Sequence, residues 1–61
     1  MLLRMAEVAQ LLDVKPSRAY SIIKQLNNEL TAQGYMTLSG RIERSYLIER
    51  FGLKEEDKSN G

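Results

Sequence analysis

The amino-acid sequence predicts a mainly α-helical domain that contains three helices and a small β-hairpin. Apolar residues recur at helical spacing over Met5–Leu12 and again over Pro16–Gln33. Apolar and polar residues then alternate over Tyr35–Glu43, where a Ser-Gly pair suits a tight turn. A third short segment with helical spacing ends at Gly52. These observations favour one small domain built around packed helices.

Composition limits both the stability and the chemistry of the chain. Its 61 residues suffice for one domain with a thin core. The sequence has no histidine and no cysteine, so we expect no disulfide, no metal and no other cofactor. No apolar run suits a signal peptide or a membrane span, and we expect a cytoplasmic protein without a membrane partner. Net charge is +1, and residues 1–53 carry seven bases and five acids, a net of +2.

The segment Val8–Ile22 has the residue pattern of a helix-turn-helix, a motif that binds DNA. Ala9 is small enough to let a second helix approach closely, and further apolar residues can pack at the crossing. These residues are Val8, Leu12, Val14, Ala19 and Ile22. The alternative interpretation is an ordinary pair of angled helices, because any such crossing needs small residues.

The predicted turn between the helices depends on three residues. Asp13 tolerates the left-handed backbone conformation that the motif needs after its first helix. Pro16 suits the first position of the second helix, where a missing N–H costs nothing. Lys15 stands where serine or threonine would cap that helix, and its side chain cannot accept a backbone N–H. We therefore expect a short, stiff turn with a weak cap.

One face of the second helix combines small, polar and basic side chains, and its first three turns contain no acid. A helix face that is merely solvated more often carries glutamate and lysine, so this composition favours an anionic partner, namely double-stranded DNA. The predicted DNA-binding residues of this helix and the turn before it are Lys15, Pro16, Ser17, Arg18, Tyr20, Ser21, Lys24 and Asn28. Leu26 and Leu30, with Ile23, belong to the opposite, core-facing side.

The segment Tyr35–Glu43 is predicted to form a two-stranded wing, with Met36, Leu38 and Ile42 facing inward. An irregular loop is the alternative, because a lone hairpin is marginally stable. Two bases, Arg41 and Arg44, lie at and just after the predicted Ser39-Gly40 turn and belong to the predicted DNA-binding set.

A short extended piece at Leu2 and Leu3 is predicted to precede the first helix. The third helix is predicted to begin between Glu43 and Tyr46, and both Tyr46 and Phe51 are expected to cover the core. We assign residues 1–53 to a winged helix-turn-helix domain. Residues 54–61 have no apolar side chain, and we expect them to be a disordered tail.

The segments MAEVAQLLDVKPSRAYSII and QGYMTLSGRIERSYLIERFG resemble small winged helix-turn-helix proteins related to excisionases and to the DNA-binding domain of MerR-type regulators, and the second segment looks like proteins of Gram-positive mobile elements. The resemblance implies that the second helix enters the major groove and that the wing approaches the backbone or the minor groove. Carried over residue by residue, it implicates Pro16, Ser17, Arg18, Tyr20, Ser21 and Lys24 in the helix and Ser39, Gly40 and Arg41 at the wing. The sequence has no counterpart of the MerR effector domain, so no small-molecule effector is implied.

The sequence also bears on two other functional classes. An enzyme is not expected, because no nucleophile-base pair, phosphate-binding loop or metal-ligand cluster is present. A protein-interaction adaptor would use Tyr35, Tyr46 and Ile48. Within DNA binding, a transcriptional regulator and an excisionase would use the same contacts. A single helix-turn-helix covers little sequence, so we expect a homodimer or a DNA-induced tandem assembly on paired sites.

Overall fold

A computed structural model describes residues 1–53. It confirms the predicted fold class, since the chain is mainly helical with three helices and a two-stranded antiparallel sheet. The elements in order are β1 (Leu2–Arg4), α1 (Met5–Leu12), α2 (Pro16–Ala32), β2 (Arg41–Glu43) and α3 (Arg44–Phe51). The tail at 54–61 lies outside the described residues. No helix within residues 1–53 is long and apolar enough to span a bilayer.

The core forms where α1 and α2 pack together with the sheet and α3. Val8, Ala19 and Leu47 are fully buried, and Ala9 retains 9% of its surface. The other members of this core cluster are Leu3, Ile23, Leu26 and Ile42, with Leu12, Val14, Ile22, Leu30 and Tyr46 partly buried around it. The apolar face predicted for the second helix is therefore the face that packs.

The turn between α1 and α2 has the predicted local geometry. Asp13 is left-handed, with φ of 57° and ψ of 50°. The N–H of Val14 donates to the carbonyl of Ala9 at 3.0 Å, and the N–H of Asp13 donates to Gln10 at 3.3 Å. These two bonds satisfy carbonyls that a helix end leaves without partners. Lys15 makes no side-chain cap to α2, as expected.

The predicted hairpin over Tyr35–Glu43 is wrong. β2 pairs instead with β1, in antiparallel register, with Leu3 opposite Ile42. Both of these side chains are buried, so pairing with the N-terminal strand covers the apolar face that a lone hairpin would have left partly open. The extended piece expected at Leu2 and Leu3 is confirmed as part of β1.

The segment between α2 and β2, residues 33–40, is a loop rather than a strand. The prediction that Met36 and Leu38 face inward is wrong, since they are 98% and 55% exposed. Ile42 alone of the three predicted inward residues is buried. The segment whose alternating pattern suggested a strand therefore has no strand to pair with in the described part of the chain.

The third helix begins at Arg44, within the predicted interval, and Gly52 follows its last residue in a left-handed conformation. Leu47 and Ile48 are its buried residues. Tyr46 packs partly against the core as expected, whereas Phe51 is 45% exposed, so its predicted role as a core cover is wrong. A helix of eight residues can direct only part of its surface at so small a core.

Candidate nucleic-acid interface

The predicted face of α2 is open to solvent from Ser17 to Asn28. We use "α2 face" for Ser17, Ser21, Lys24 and Asn28, which are all exposed. Residues three or four apart on a helix lie on one side, so these side chains follow one another along the surface. The Ser21 hydroxyl donates to the carbonyl of Ser17 at 3.3 Å, a bond that leaves its oxygen able to accept another.

The beginning of α2 and the preceding turn form a shallow concavity on the protein surface. Lys15, Ser17, Arg18 and Ser21 line it together with Asp13 and Val14. Pro16 is exposed beside it as the first residue of α2. Two bases and two hydroxyls therefore surround one depression, which Asp13 also lines. The bases make the depression suitable for an anion, and the hydroxyls can donate or accept hydrogen bonds.

A second concavity joins the α2 face to the loop. Tyr20, Lys24 and Asn28 line it from the helix, and Ser39 and Gly40 line it from the loop. We call Ser39 and Gly40 the loop tip. The structure thus places five residues of the predicted set around one surface, although they come from two segments separated by more than ten positions.

The loop tip is held in a tight turn. The N–H of Arg41 donates to the carbonyl of Leu38 at 3.1 Å, which closes a four-residue turn. Gly40 occupies the third position with φ of 77°, a conformation that glycine adopts without steric cost. The turn predicted at the Ser-Gly pair is therefore present, although the strands that it was predicted to join are absent.

Asn27 was missed by the sequence analysis, because a polar residue on a helix looks like a solvated one. Its Nδ2 donates to the carbonyl of Leu38 at 3.0 Å and to the carbonyl of Arg41 at 2.8 Å. One turn further along α2, the hydroxyls of Thr31 and Thr37 lie 3.4 Å apart. Side chains of α2 therefore hold the loop at several points.

Arg41 lies apart from the second concavity and instead lines a groove on the other side of the loop. In the sheet it stands opposite Arg4, a residue absent from the predicted set. The N–H of Arg44 donates to the carbonyl of Met1 at 2.9 Å. This bond makes Met1 and Arg44 a hydrogen-bonded pair. Hydrogen-bonded and non-bonded pairs alternate along antiparallel strands, so Arg4 and Arg41, three pairs further along, form a non-bonded pair, in which the side chains lie closest together. The sheet therefore brings two bases together on its outer face, a proximity that only the strand register reveals.

Arg44, the last predicted site residue, is the first residue of α3 and is half-buried. It follows β2 directly, so its backbone position is set by the sheet. Within residues 1–53 no group of three or more acidic side chains is arranged to hold a metal ion.

The second half of α2 is tied to α3 by an ionic cluster. Arg50 donates from Nε and Nη2 to the two carboxylate oxygens of Glu29, each at 2.8 Å. The Tyr46 hydroxyl donates to Glu29 Oε1 at 2.7 Å. The hydrogen bonds from Arg50 and then Tyr46 lower the pKa of Glu29 from 4.5 to about 2, and Glu29 in turn raises the pKa of Arg50.

A groove of about 540 Å³, lined by both apolar and polar side chains, lies beside the loop and shares Asn27 and Thr37 with the second concavity. Its lining includes Tyr35, Met36 and Leu38, which are all exposed. The surface predicted for a protein-interaction adaptor is only partly present, because Ile48 is buried and Tyr46 is bound to Glu29. Tyr35, which is 61% exposed, is the member of that set that remains accessible.

Comparison with known proteins identifies a similar protein, the ICEBs1 excisionase of Bacillus subtilis (strain 168). The two chains are 29% identical over 55 residues, which cover 90% of this chain and 86% of that protein. No protein-family profile matches the chain, and no solved structure matches it. The chain is thus similar to an excisionase over nearly its whole length, in agreement with the excisionase part of the resemblance drawn from the sequence.

Proposed function

We propose that the chain binds double-stranded DNA through the α2 face and the loop tip, with α2 in the major groove and the loop on the backbone or in the minor groove. The observation that carries this proposal is the concavity shared by Lys24, Asn28, Ser39 and Gly40. A protruding helix fits the major groove, which is about 12 Å wide. A neighbouring loop then lies at the edge of the groove, close to the phosphates.

The chemistry of these side chains suits DNA. Asparagine amides and serine hydroxyls can bond base edges, whereas lysine and arginine attract phosphates. The α2 face and the loop tip carry no acidic side chain, and the one acid of α2, Glu29, is bound to Arg50 on α3. The local charge is therefore more favourable for an anion than the net charge of the chain.

The similarity to an excisionase supports a role as an excisionase-like factor of a mobile DNA element, and a small transcriptional regulator would use the same surface. A surface of this size contacts few base pairs. Specific binding therefore calls for paired or repeated sites, occupied by a homodimer or by copies that assemble on the DNA. The proposed role is that of a DNA-binding factor without catalytic activity.

Titration of a duplex at several salt concentrations tests the proposal. About three to five basic side chains can reach phosphates, and each contributes roughly −0.9 to the slope of log K against log salt. We therefore expect a total slope of about −2.7 to −4.5. An affinity that does not change with salt would contradict the proposal, and so would an absence of binding to a random duplex at low salt.

A second candidate function, protein binding as an adaptor, is favoured by the exposed apolar side chains of Tyr35, Met36 and Leu38 at the groove. Exposed apolar patches often mark protein contacts. The two candidate surfaces share Arg41 and the residues common to the groove and the second concavity but differ in their other residues, so variants at those other residues separate the functions. Lys24→Ala should weaken DNA binding, whereas Met36→Ser should leave it unchanged if the groove belongs to a protein partner.

A further inference from the structure

The contacts of Asn27 have a geometry that a merely solvated side chain would not adopt. Its single amide nitrogen bonds the carbonyls of Leu38 and Arg41, which are the first and last residues of the turn at the loop tip. Both hydrogens of the amide can be used in this way, one for each carbonyl. A side chain on α2 therefore closes the turn from outside and fixes it against the helix.

The position of Asn27 on α2 links this turn to the α2 face. Lys24 and Asn28 lie three residues before it and one residue after it, and both border the concavity that the loop tip completes. Ile23, one turn earlier, is buried in the core and is 1% exposed. Asn27 thus stands between the core and the α2 face, where a short amide can reach the loop without leaving the helix surface.

We propose that Asn27 is a positioning residue for DNA binding, which holds the loop tip at a set distance from the α2 face so that helix and loop contact one duplex together. This inference rests on the proposed function. Asn27 also lines the concavity, but both hydrogens of its amide are donated to the loop, so its role in this account is to position the loop rather than to bind DNA. Without its two bonds, Ser39 and Gly40 would remain tethered by the chain but would sample many positions, and binding DNA would require ordering them.

The variant Asn27→Leu removes both donors while keeping the size of the side chain and its charge. Leucine favours helix more than asparagine does, so α2 should persist. Gln10→Leu is the matched control, because Gln10 is an exposed amide residue of α1, far in sequence from the loop. If Asn27→Leu does not fold, Asn27→Ser replaces it, since a serine hydroxyl is too short to bridge both carbonyls.

Two measurements follow. Hydrogen exchange of the Arg41 amide should accelerate in Asn27→Leu and stay unchanged in Gln10→Leu, because the turn bond to Leu38 opens more often. Affinity for a duplex should fall about fivefold to tenfold in Asn27→Leu, as expected for the loss of one or two hydrogen bonds. The control should bind as the original protein does.

Double variants distinguish positioning of the loop from a general loss of stability. Ser39→Ala should weaken DNA binding in the original protein but add little in the Asn27→Leu background, because the loop tip is already displaced. Lys24→Ala should lower DNA affinity by the same factor in both backgrounds. Additive effects of Asn27→Leu and Ser39→Ala would overturn the inference, as would a silent Ser39→Ala or unchanged DNA affinity in Asn27→Leu. Failure of the original protein to bind any duplex would instead remove the proposed function, and the inference with it.

Discussion

The two halves of α2 differ in what covers the side that faces away from the core. In the first half, Ser17, Ser21 and Lys24 are exposed to solvent. In the second half, Asn27 bonds the loop, while Glu29 bonds Arg50 and Tyr46 on α3. Asn28 is the member of the α2 face that lies in this half, and it is exposed. One continuous helix of 17 residues is therefore open at its beginning and fastened at its end.

This difference assigns separate tasks to the two halves. Polar groups that form hydrogen bonds within the protein contribute to its own structure, whereas polar groups that remain exposed are available to a partner. Substitutions in the fastened half should alter stability or the position of the loop. Substitutions in the open half should alter DNA binding and leave stability within about 0.5 kcal/mol, as is usual for exposed positions.

The largest effect on stability is expected where α1 packs against the beginning of α2. Ala9→Leu should lower the free energy of unfolding by about 1 to 3 kcal/mol, because Ala9 is 9% exposed and added bulk must displace its neighbours. The melting temperature should fall by about 4 to 8 °C for each kcal/mol of lost stability. Ala6→Leu, at an exposed position of the same helix, is the control. Equal melting temperatures for both variants would mean that Ala9 does not lie at a tight crossing.

Alanine at Ser17, Ser21 or Lys24 should change DNA binding rather than folding. If these side chains contact base edges, each variant should alter the ranking among DNA sequences, with a lost specific contact worth about 1 to 3 kcal/mol. Binding titrations on a panel of duplexes, together with melting curves, measure both properties. The assignment of the open half fails if these variants melt at lower temperature while their DNA preferences are unchanged.

Arg41→Ala should weaken binding to all DNA sequences by the same factor. Arg41 lies beyond the concavity that the α2 face shares with the loop tip, and an arginine on the phosphate backbone carries little sequence information. The slope of log K against log salt should become shallower by about 0.9. An altered sequence preference in this variant, with an unchanged slope, would mean that Arg41 contacts bases.

The smallest expected effect concerns acid stability in the fastened half. The pKa of Glu29 is lowered from 4.5 to about 2 in the folded protein. A lowered folded pKa gives stability that is fully present above the unfolded value and is lost as pH falls through the folded value. Glu29→Gln should therefore be less stable at pH 7 and should show a weaker loss of stability between pH 4.5 and about 2. Urea unfolding at several pH values checks this; parallel pH profiles for the two proteins would show that the cluster contributes nothing.

The helices were predictable because their signals are local. The apolar face of α2, the left-handed Asp13 and the helix-starting Pro16 all depend on neighbours within a few positions. These features gave the helix bounds to within a residue at most ends and identified an exposed face that the structure leaves open. The same local pattern misled at Met36 and Leu38, where alternation suggested a strand without a partner to pair with it.

The remaining features depend on contacts between distant segments. β1 and β2 are each three residues long and about 40 positions apart, so neither strand indicates the other. Asn27 and Glu29 look like ordinary solvated residues of a helix, and their partners lie 11 to 21 positions away. The pairing of Arg4 with Arg41 likewise appears only with the strand register.

The central claim is that the α2 face and the loop tip form the DNA-binding surface. It is tested most directly by following the backbone amide chemical shifts while a DNA duplex is added. We expect the largest changes at Lys15, at 17–28 and at Ser39 and Gly40, with small changes at Gln33, Glu49 and Arg50. Changes centred on Tyr35, Met36 and Leu38, with the first half of α2 unaffected, would contradict this account and make the groove beside the loop the binding surface.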